Sequence, residues 1–172
     1  QLLKDHAHEF LGHDEVQQLL DTLAKASPKL VESLVPDLLS LGTVLRVMQN
    51  LLQEGIPVRD MRTIAEALAE TAVTSQDPDT LTGLVRIALS RTIYQQINGL
   101  ESELEVLSLE PTLEQMLQDA IRGTQQSVGL EPGLAEQMLR QITEGVTRLE
   151  SEGKPAVLLV TSTLRLWLAR LV

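Results

Sequence analysis

The sequence predicts a mainly α fold with a partial α/β part, in which a helical subdomain is followed by a truncated βααβα unit. Apolar residues recur at three- and four-residue spacing along most of the 172 residues, as in amphipathic helices. Two apolar runs after residue 98 are short and lack that spacing, which is typical of strands. The hydrophobic fraction of 43% is mostly aliphatic, since only Phe10, Tyr94 and Trp167 are aromatic. We therefore expect an aliphatic core built largely by helices.

The first predicted elements are short helices. Gln1–Leu11 has the pattern of the end of a helix. Asp14 is predicted to cap the next helix, with Gln17 three residues later completing a capping box. A further short helical piece lies between Pro28 and Pro36. These prolines predict breaks, because proline restricts its own backbone and that of the preceding residue.

The clearest helical pattern begins at Leu41 and ends at Gly55, a residue suited to the left-handed conformation that closes many helices. Ile56-Pro57-Val58 is predicted to be an extended connector, because Pro57 disfavours helical geometry in the residue before it. The apolar positions of this helix are Leu41, Val44, Leu45, Met48, Leu51 and Leu52.

Two helices with aspartate caps are predicted to follow. Asp60 is placed to accept hydrogen bonds from free N–H groups at the first start, and Asp77 does the same before Pro78. The first helix has a predicted buried face of Met61, Ile64, Ala65 and Leu68. The second has Leu81, Leu84, Val85, Ala88 and Leu89, with Ile87, Tyr94 and Ile97 on its other sides. We expect the second helix to be nearly surrounded by protein.

An α/β pattern begins after Asn98-Gly99. A short strand is predicted around Leu104–Leu109, followed by a helix from Pro111, a loop from Gly123 to Gly129 and a helix opened by Pro132. The apolar run at residues 156–160 is predicted to be a central parallel strand buried on both faces, and a helix follows from Ser162. Strands joined by such a crossover are expected to be parallel neighbours. We expect further strands of this sheet after Val172.

The composition excludes several classes of function. A formal charge of −10 repels nucleic-acid backbones and anionic membrane surfaces. Without cysteine there is no disulfide framework, which favours a reducing compartment such as the cytosol. The most apolar C-terminal run contains Arg165 and Arg170, so no membrane span is expected. Because the chain starts at Gln1 and ends within an apolar helix, we expect it to be part of a longer protein.

No pattern of catalytic residues is present, and we expect neither an enzyme nor a bound metal or cofactor. His6, His8 and His13 could form a metal cluster, but their spacing differs from that of a zinc-binding helix, and ordinary exposed histidines are the simpler interpretation. The sequence has no phosphate-binding glycine loop and no GxSxG turn. The many carboxylates lie on the polar sides of their elements, as solvated side chains do.

The most unusual charged group is Arg59, Asp60 and Arg62, at the predicted start of a helix. Two cations are unfavourable near the positive end of a helix dipole, so a compensating group is expected. One interpretation is local pairing with Asp60, Glu54, Glu66 or Asp77, which contributes little at a surface. The other is a contact with a partner or a second subunit, for which arginine is well suited. The residue pattern by itself is equally compatible with local pairing and with a contact to a partner or a second subunit.

Several segments together resemble one protein family. LLQEGIPVRDMRTIAEALAE, QDPDTLTGLVRIALSR, GLEPGLAEQML and KPAVLLVTSTLRLWLAR occur in the order found in the cytoplasmic domain of the FlhA family, the export-gate proteins of type III secretion in bacterial flagella and virulence injectisomes. The resemblance favours the flagellar branch, with an injectisome homologue as the alternative. It implies a location at the cytoplasmic face of the bacterial inner membrane, behind a membrane-spanning half that this chain lacks. A generic acidic helical adaptor, or a metal-binding or enzymatic domain, is the alternative from another class.

The resemblance also implies an organisation and partners. Residues 1–39 would be the helical end of a first subdomain, 40–98 an all-helical third subdomain, and 99–172 the first part of an α/β fourth subdomain. Family members assemble as a ring, taken to be nonameric, and dock export chaperones with their cargo and the ATPase complex; the chaperone pocket lies mostly upstream of this chain. The implied contacts between subunits or subdomains are Arg59, Asp60, Arg62, Asp77 and Arg86.

Overall fold

A computed structural model describes residues 8–123 and 132–171, without the side chains of residues 122, 123 and 132. The chain divides into two compact units, Gln1–Gln96 and Ile97–Val172. The fold is mainly α with a small parallel sheet, as the sequence predicted. In the described part of the chain, no helix combines the length and apolar character that crossing a bilayer requires.

Seven helical segments are described from residue 8 to residue 98, and the last of them continues two residues beyond the first unit. They are α1 (His13–Ala24), α2 (Pro28–Glu32), α3 (Ser33–Leu38), α4 (Leu41–Gln53), α5 (Met61–Thr71), α6 (Pro78–Ala88) and α7 (Ser90–Asn98). Most of the predicted N-terminal helix, residues 1–7, lies outside the described residues, and residues 8–11 form a turn and a bend instead of a helix.

Helix α1 begins before its predicted cap. The prediction that Asp14 is the N-cap with Gln17 as its partner is wrong, because the helix begins at His13 and Gly12 is the N-cap. The Glu15 carboxylate accepts a hydrogen bond from the Gly12 N–H, with an N to Oε2 distance of 2.9 Å. A glutamate at the third helical position commonly satisfies an N-cap amide in this way.

The predicted helical piece between Pro28 and Pro36 is present, with a break near its end. Val35 has an extended backbone, with φ −128° and ψ 124°. The following Pro36 disfavours helical geometry at this residue, so the chain turns here between α2 and the remainder of α3.

The predicted aspartate caps are confirmed. The Thr63 N–H donates to Asp60 Oδ1 at 3.1 Å, and the Thr80 N–H donates to Asp77 Oδ2 at 2.8 Å. A side-chain cap of this kind contributes about 1 kcal/mol. Asp60 and Asp77 therefore fix the first turns of α5 and α6.

The predicted end of α4 at Gly55 is also confirmed. Gly55 has φ +71°, its N–H donates to Leu52 O at 3.0 Å, and the Ile56 N–H donates to Leu51 O at 2.8 Å. This pair of bonds is a Schellman motif, which satisfies carbonyls that the helix leaves free. The connector to α5, residues 54–60, begins from this turn.

One core holds the first unit together. Helix α6 packs against both α4 and α5, and α1 packs against α2 and α4. The predicted face of α5 is buried as expected. The largest fully buried side chains of this core are Leu20, Leu34, Met48, Leu51, Ile64, Leu68, Leu81 and Leu89.

The expectation that the helix after Asp77 is nearly surrounded is wrong. Leu84 is 39% exposed, and Ile87 is 59% exposed. Only the face of α6 carrying Leu81, Thr82 and Val85 is buried, because its packing partners α4 and α5 cover that side. The predicted single helix is also divided near Leu89 into α6 and α7.

The second unit is a small parallel sheet with three described helices. Strand β1 (Leu107–Ser108) pairs with β2 (Leu158–Leu159), and Leu107 lies opposite Leu158. The helices are α8 (Pro111–Gly123), α9 (Pro132–Ser151) and α10 (Ser162–Leu171). The predicted loop after Gly123 lies outside the described residues. The core consists of Leu109, Leu117, Met138, Ile142, Leu164 and Leu168.

The parallel pairing of the two strands is confirmed, but full burial of the second strand is not. Leu159 is 61% exposed, whereas its neighbour Leu158 packs against the core. Burial on both faces requires layers on both sides of a sheet. In the described residues, β2 therefore has one covered face and one open face.

Candidate functional site

The three charged residues at the start of α5 form the candidate site, which we call the arginine corner: Arg59, Asp60 and Arg62. Arg59 is the last connector residue before the cap, and its side chain is exposed. It makes no hydrogen bond or ion pair with any other described residue. Asp60 is occupied by capping α5 through Thr63. The corner thus presents one exposed arginine whose side chain has no hydrogen-bond or ion-pair partner among the described residues.

Arg62 has a local partner. Its Nε lies 2.9 Å from Glu66 Oε1, one helical turn away, and the side chains are 70% and 53% exposed. This is one of the local pairings that the sequence suggested. An exposed pair of this spacing contributes only about 0.3–0.5 kcal/mol, so it can be exchanged for another carboxylate at little cost.

The electrostatics of the corner favour an external anion. Arg59 and Arg62 lie at the N-terminal end of α5, where the helix dipole is positive, and Asp60 is the one carboxylate that the corner itself supplies. Guanidinium groups bind carboxylates with two parallel hydrogen bonds, a geometry common at protein interfaces. The arrangement is suited to recognition of an acidic side chain on another protein surface.

The other two predicted contact residues lie at opposite ends of α6. Asp77 is its N-cap and accepts from the Thr80 N–H at 2.8 Å and the Thr80 hydroxyl at 2.7 Å. Arg86 lies nine residues later, about 13.5 Å along the helix at 1.5 Å per residue. The structure therefore does not bring Asp77 and Arg86 together.

Arg86 instead forms a half-buried ion pair with Glu54, the C-cap of α4. The two side chains are 23% and 22% exposed. Glu54 lies at the negative end of the α4 dipole, and Arg86 lies in the last turn of α6, where a cation is favoured. The arginine therefore neutralises an unfavourable carboxylate while joining two helices.

Sequence reasoning missed a second polar contact between the same helices. Asn50 Nδ2 donates to Thr82 Oγ1 at 3.1 Å and to Asp79 Oδ1 at 3.3 Å. Thr82 is only 2% exposed, and its hydroxyl donates to Pro78 O at 2.7 Å. The sequence contains one signal of this contact. Asn50 and Glu54 are four residues apart, so they lie on the same side of α4 and could have been expected to face a neighbouring helix together.

A third contact that was missed reaches the connector from α7. Gln96 Nε2 donates to the Gly55 carbonyl oxygen at 2.9 Å. Since Gly55 is the residue at which α4 turns into the connector, this hydrogen bond holds the point where the chain changes direction. No local pattern predicts it, because the two residues are 41 positions apart.

A separate charged group lies in the second unit. Lys154 Nζ is 2.7 Å from Glu105 Oε2 and 2.6 Å from Glu152 Oε2. The hydrogen bonds to Glu105 and then Glu152 raise the pKa of Lys154, and the hydrogen bond from Lys154 lowers the pKa of Glu152. All three side chains are substantially exposed, so the group links surface segments.

The histidines do not assemble into a metal site within the described residues. No group of three His, Asp or Glu ligands is found there, and His6 lies outside that part of the chain. His8 Nε2 approaches Glu9 Oε1 at 3.9 Å.

The fold and the arginine corner define a mainly helical protein with a charged surface group and no recognised catalytic pattern, and comparison with known proteins identifies its family. The chain belongs to the FHIPEP family, whose model matches residues 1–172. Flagellar biosynthesis protein FlhA of Escherichia coli is 48% identical over 98% of this chain, and that of Salmonella typhimurium is 46% identical over the same share. In each case the alignment covers 24% of the relative, so the chain spans about a quarter of the length of these proteins.

Solved structures share the fold across almost the whole chain. The Chlamydia pneumoniae CdsV and CdsO protein complex contains a chain that is 28% identical, with a TM-score of 0.86 over 99% of this chain and 51% of that one. The nonameric EscV cytosolic domain from the type III secretion system is 27% identical, with a TM-score of 0.76 over 96% of this chain and 49% of that one.

Proposed function

We propose that this chain is a segment of the cytoplasmic domain of a type III secretion export gate and that the whole protein exports flagellar components. The observation that carries the proposal is the family match along the entire chain, together with relatives named flagellar biosynthesis protein FlhA at 46–48% identity. The flagellar relatives are closer in sequence than the injectisome structures, at 27–28% identity. This difference favours the flagellar branch over the injectisome alternative.

The proposed location and organisation follow from the same relationship. The segment would lie at the cytoplasmic face of the bacterial inner membrane and be anchored through a part of the protein that precedes it. Residues 1–39 would close a first subdomain, 40–98 would form the third, and 99–172 would begin the fourth. The type III secretion relative with a similar fold is a cytosolic domain, which supports this placement.

The proposed assembly is a ring of identical subunits, a nonamer in the whole protein. The fold is shared with a cytosolic domain solved as a nonamer. We assign Arg59 and Arg62 to the contact with the next subunit, because their guanidinium groups are exposed and lie beside a positive helix end. Asp60, Asp77 and Arg86 would support that contact from within the subunit, through the two helix caps and the ion pair with Glu54.

The proposed partners of the assembled gate are export chaperones with their cargo and proteins of the ATPase complex. Support for a protein partner comes from the structurally similar CdsV, which was solved in complex with CdsO. No catalytic step is assigned to this segment. Its role would be to hold surfaces in place so that substrates are received and ordered.

The test of this function uses the full-length gate carrying Arg59→Ala and Arg62→Ala together. We expect fewer assembled rings in the membrane and reduced secretion of flagellar proteins, because two subunit contacts are lost. The matched control is Arg46→Ala, which removes an exposed arginine of α4 that has no partner among the described residues. Normal secretion and normal ring assembly in the double variant would contradict the role of the arginine corner.

A binding experiment separates the gate from a generic acidic adaptor. If the chaperone pocket lies mostly upstream, export chaperones should bind the complete cytoplasmic domain and should not bind these 172 residues alone. An adaptor would bind equally well through this segment by itself. Equal capture of chaperones by both proteins would therefore contradict the proposal that the chaperone pocket lies mostly upstream of this chain.

A further inference from the structure

The connector between α4 and α5 is held at its start by side chains from two other helices. Arg86 of α6 pairs with the Glu54 side chain, and Gln96 of α7 donates to the Gly55 carbonyl at 2.9 Å. Glu54 and Gly55 are the first two connector residues. We call Arg86 and Gln96 the connector clamp.

The clamp acts where the backbone changes direction. Gly55 adopts φ +71°, and the next side chain, Ile56, is 3% exposed and anchored in the core. Past Ile56, the partly buried Val58 packs against the same core, and the next residue, Arg59, is exposed. The clamp therefore fixes the turn from which the packed residues Ile56 and Val58 lead to Arg59.

The far end of the connector is fixed independently. Asp60 caps α5 through Thr63, and the neighbouring Met61 is 8% exposed in the core. Arg59 thus lies between a clamped turn and a capped helix, and its side chain makes no hydrogen bond or ion pair among the described residues. Its position depends on the clamped turn, on the core packing of Ile56 and Val58, and on the capped start of α5.

We propose that Arg86 and Gln96 are positioning residues, which hold the connector so that Arg59 and Arg62 meet a second copy of this chain. The inference rests on the proposed function, because it presumes that the arginine corner contacts another subunit. It adds two residues that touch no partner and act through the backbone of residues 54–60. Ordering the connector before contact removes an entropic cost from assembly.

The decisive variant is Gln96→Glu, which keeps the size of the side chain and removes its hydrogen-bond donor. Gln95→Glu is the matched control, since Gln95 is exposed, has no partner among the described residues and receives the same charge. Gln96→Lys is the rescue variant, because it restores a donor at that position. Gln96 is itself exposed, so these variants should fold.

The first measurement is amide hydrogen exchange at Gly55 and Ile56 in the 172-residue chain. Loss of one hydrogen bond should accelerate their exchange by about two- to tenfold in Gln96→Glu, with little change in Gln95→Glu and recovery in Gln96→Lys. The second is the amount of ring formed by the full-length gate, which should fall in Gln96→Glu and recover in Gln96→Lys. The urea midpoint of the chain should fall by no more than the loss of one hydrogen bond explains, so that general unfolding is excluded as the cause of a loss of rings.

The outcomes distinguish failure of the connector clamp from failure of the proposed subunit contact at the arginine corner. Equal exchange in Gln96→Glu and Gln95→Glu would show that the clamp does not hold the connector and would overturn the inference. Faster exchange with normal ring formation, in a gate that Arg59→Ala and Arg62→Ala do impair, would overturn the positioning role and leave the proposed function intact. If the arginine variants themselves assemble normally, the contact assignment fails and the positioning role falls with it.

Discussion

Arg86 and Glu54 are 32 residues apart in the sequence and form a half-buried ion pair that joins the end of α6 to the end of α4. The pair lies beside the hydrogen bonds that Asn50 makes to Asp79 and Thr82, so the two helices share polar contacts as well as an apolar core. Both residues lie at the negative, C-terminal end of a helix. Arg86 interacts favourably with the α6 dipole, and it also compensates the unfavourable position of the Glu54 carboxylate at the end of α4.

Replacing Arg86 by alanine should lower the free energy of unfolding by about 1–2 kcal/mol, because Glu54 is then left half-buried at the negative end of α4. Urea unfolding followed by far-UV circular dichroism measures the change. Arg91→Ala is the control, since Arg91 is exposed and has no partner among the described residues, and it should change stability by less than about 0.5 kcal/mol.

A double-mutant cycle separates the ion pair from lost packing. Glu54→Ala in the Arg86→Ala background should cost less than Glu54→Ala alone, because no unpaired charge remains. Strictly additive effects would show that the two side chains do not stabilise each other.

Two glycines in the first unit should respond to alanine in opposite directions. Neither would place its new Cβ within 4 Å of another group, so steric contact does not distinguish them. Gly55 has φ +71°, a left-handed conformation that costs a residue with a Cβ about 1–2 kcal/mol. Gly83 lies inside α6, where alanine should stabilise by about 0.5–1 kcal/mol. Urea midpoints measure both changes, and shifts of the same sign would contradict this explanation.

The sequence predicted the features that depend on nearby residues. Asp60 and Asp77 cap their helices through N–H groups three residues away, so their roles could be inferred without knowing the fold. Glu66, one of the four local partners that the sequence suggests, lies one turn from Arg62 and pairs with it. Contacts that require two helices to be placed in space could not be predicted. Glu54 was considered as a partner for Arg59 or Arg62, yet it pairs with Arg86.

The same distinction explains the two wrong burial predictions. Apolar residues on several sides of its helix predicted that Ile87 would be covered, and the continuous apolar run at residues 156–160 predicted the same for Leu159, yet both are exposed. Whether an apolar side chain is covered depends on how many helices or layers surround its element, and an amphipathic pattern specifies only one buried face. The arginine corner could be found from the sequence because its dipole argument is local, but the clamp from Arg86 and Gln96 could not.

The contact between α9 and β1 provides a test of packing in the second unit. A Cβ on Gly145 would lie 2.9 Å from both terminal carbons of Leu107. Overpacking of this kind costs about 1–3 kcal/mol, more than the roughly 1 kcal/mol that alanine gains in a helix, so Gly145→Ala should destabilise the unit. In a Leu107→Ala background the contact disappears, and the same substitution should become stabilising. Trp167 packs on this core, so its fluorescence during urea unfolding reports the change, and a loss of equal size in both backgrounds would contradict the packing argument.

The charged group around Lys154 should make the second unit sensitive to acid. The pKa of Glu152 is lowered from 4.5 by the hydrogen bond from Lys154, so the folded chain releases this proton more readily than the unfolded chain. The resulting stabilisation is present above about pH 4.5 and is lost as the pH falls through the lower, folded value. Glu152→Gln should therefore reduce the urea midpoint near neutral pH and have little effect in acid. The difference in urea midpoint between Glu152→Gln and the unmodified chain should also shrink at high salt, because salt screens the exposed pair of Lys154 and Glu152.

At alkaline pH the stability of the second unit should change in the opposite direction, falling as the pH rises. The pKa of Lys154 is raised above 10.5, so its contribution is complete below that pH and is lost as the pH rises through the folded value. Lys154→Met should remove both the acid and the alkaline dependence of stability, since it removes the partner of Glu152 as well as that of Glu105. Glu150→Gln is the control, because Glu150 is an exposed carboxylate two residues from Glu152 with no partner among the described residues. Urea midpoints from Trp167 fluorescence at a series of pH values measure these effects, and an equal acid dependence in Glu150→Gln and Glu152→Gln would show that the hydrogen bond from Lys154 is not its cause.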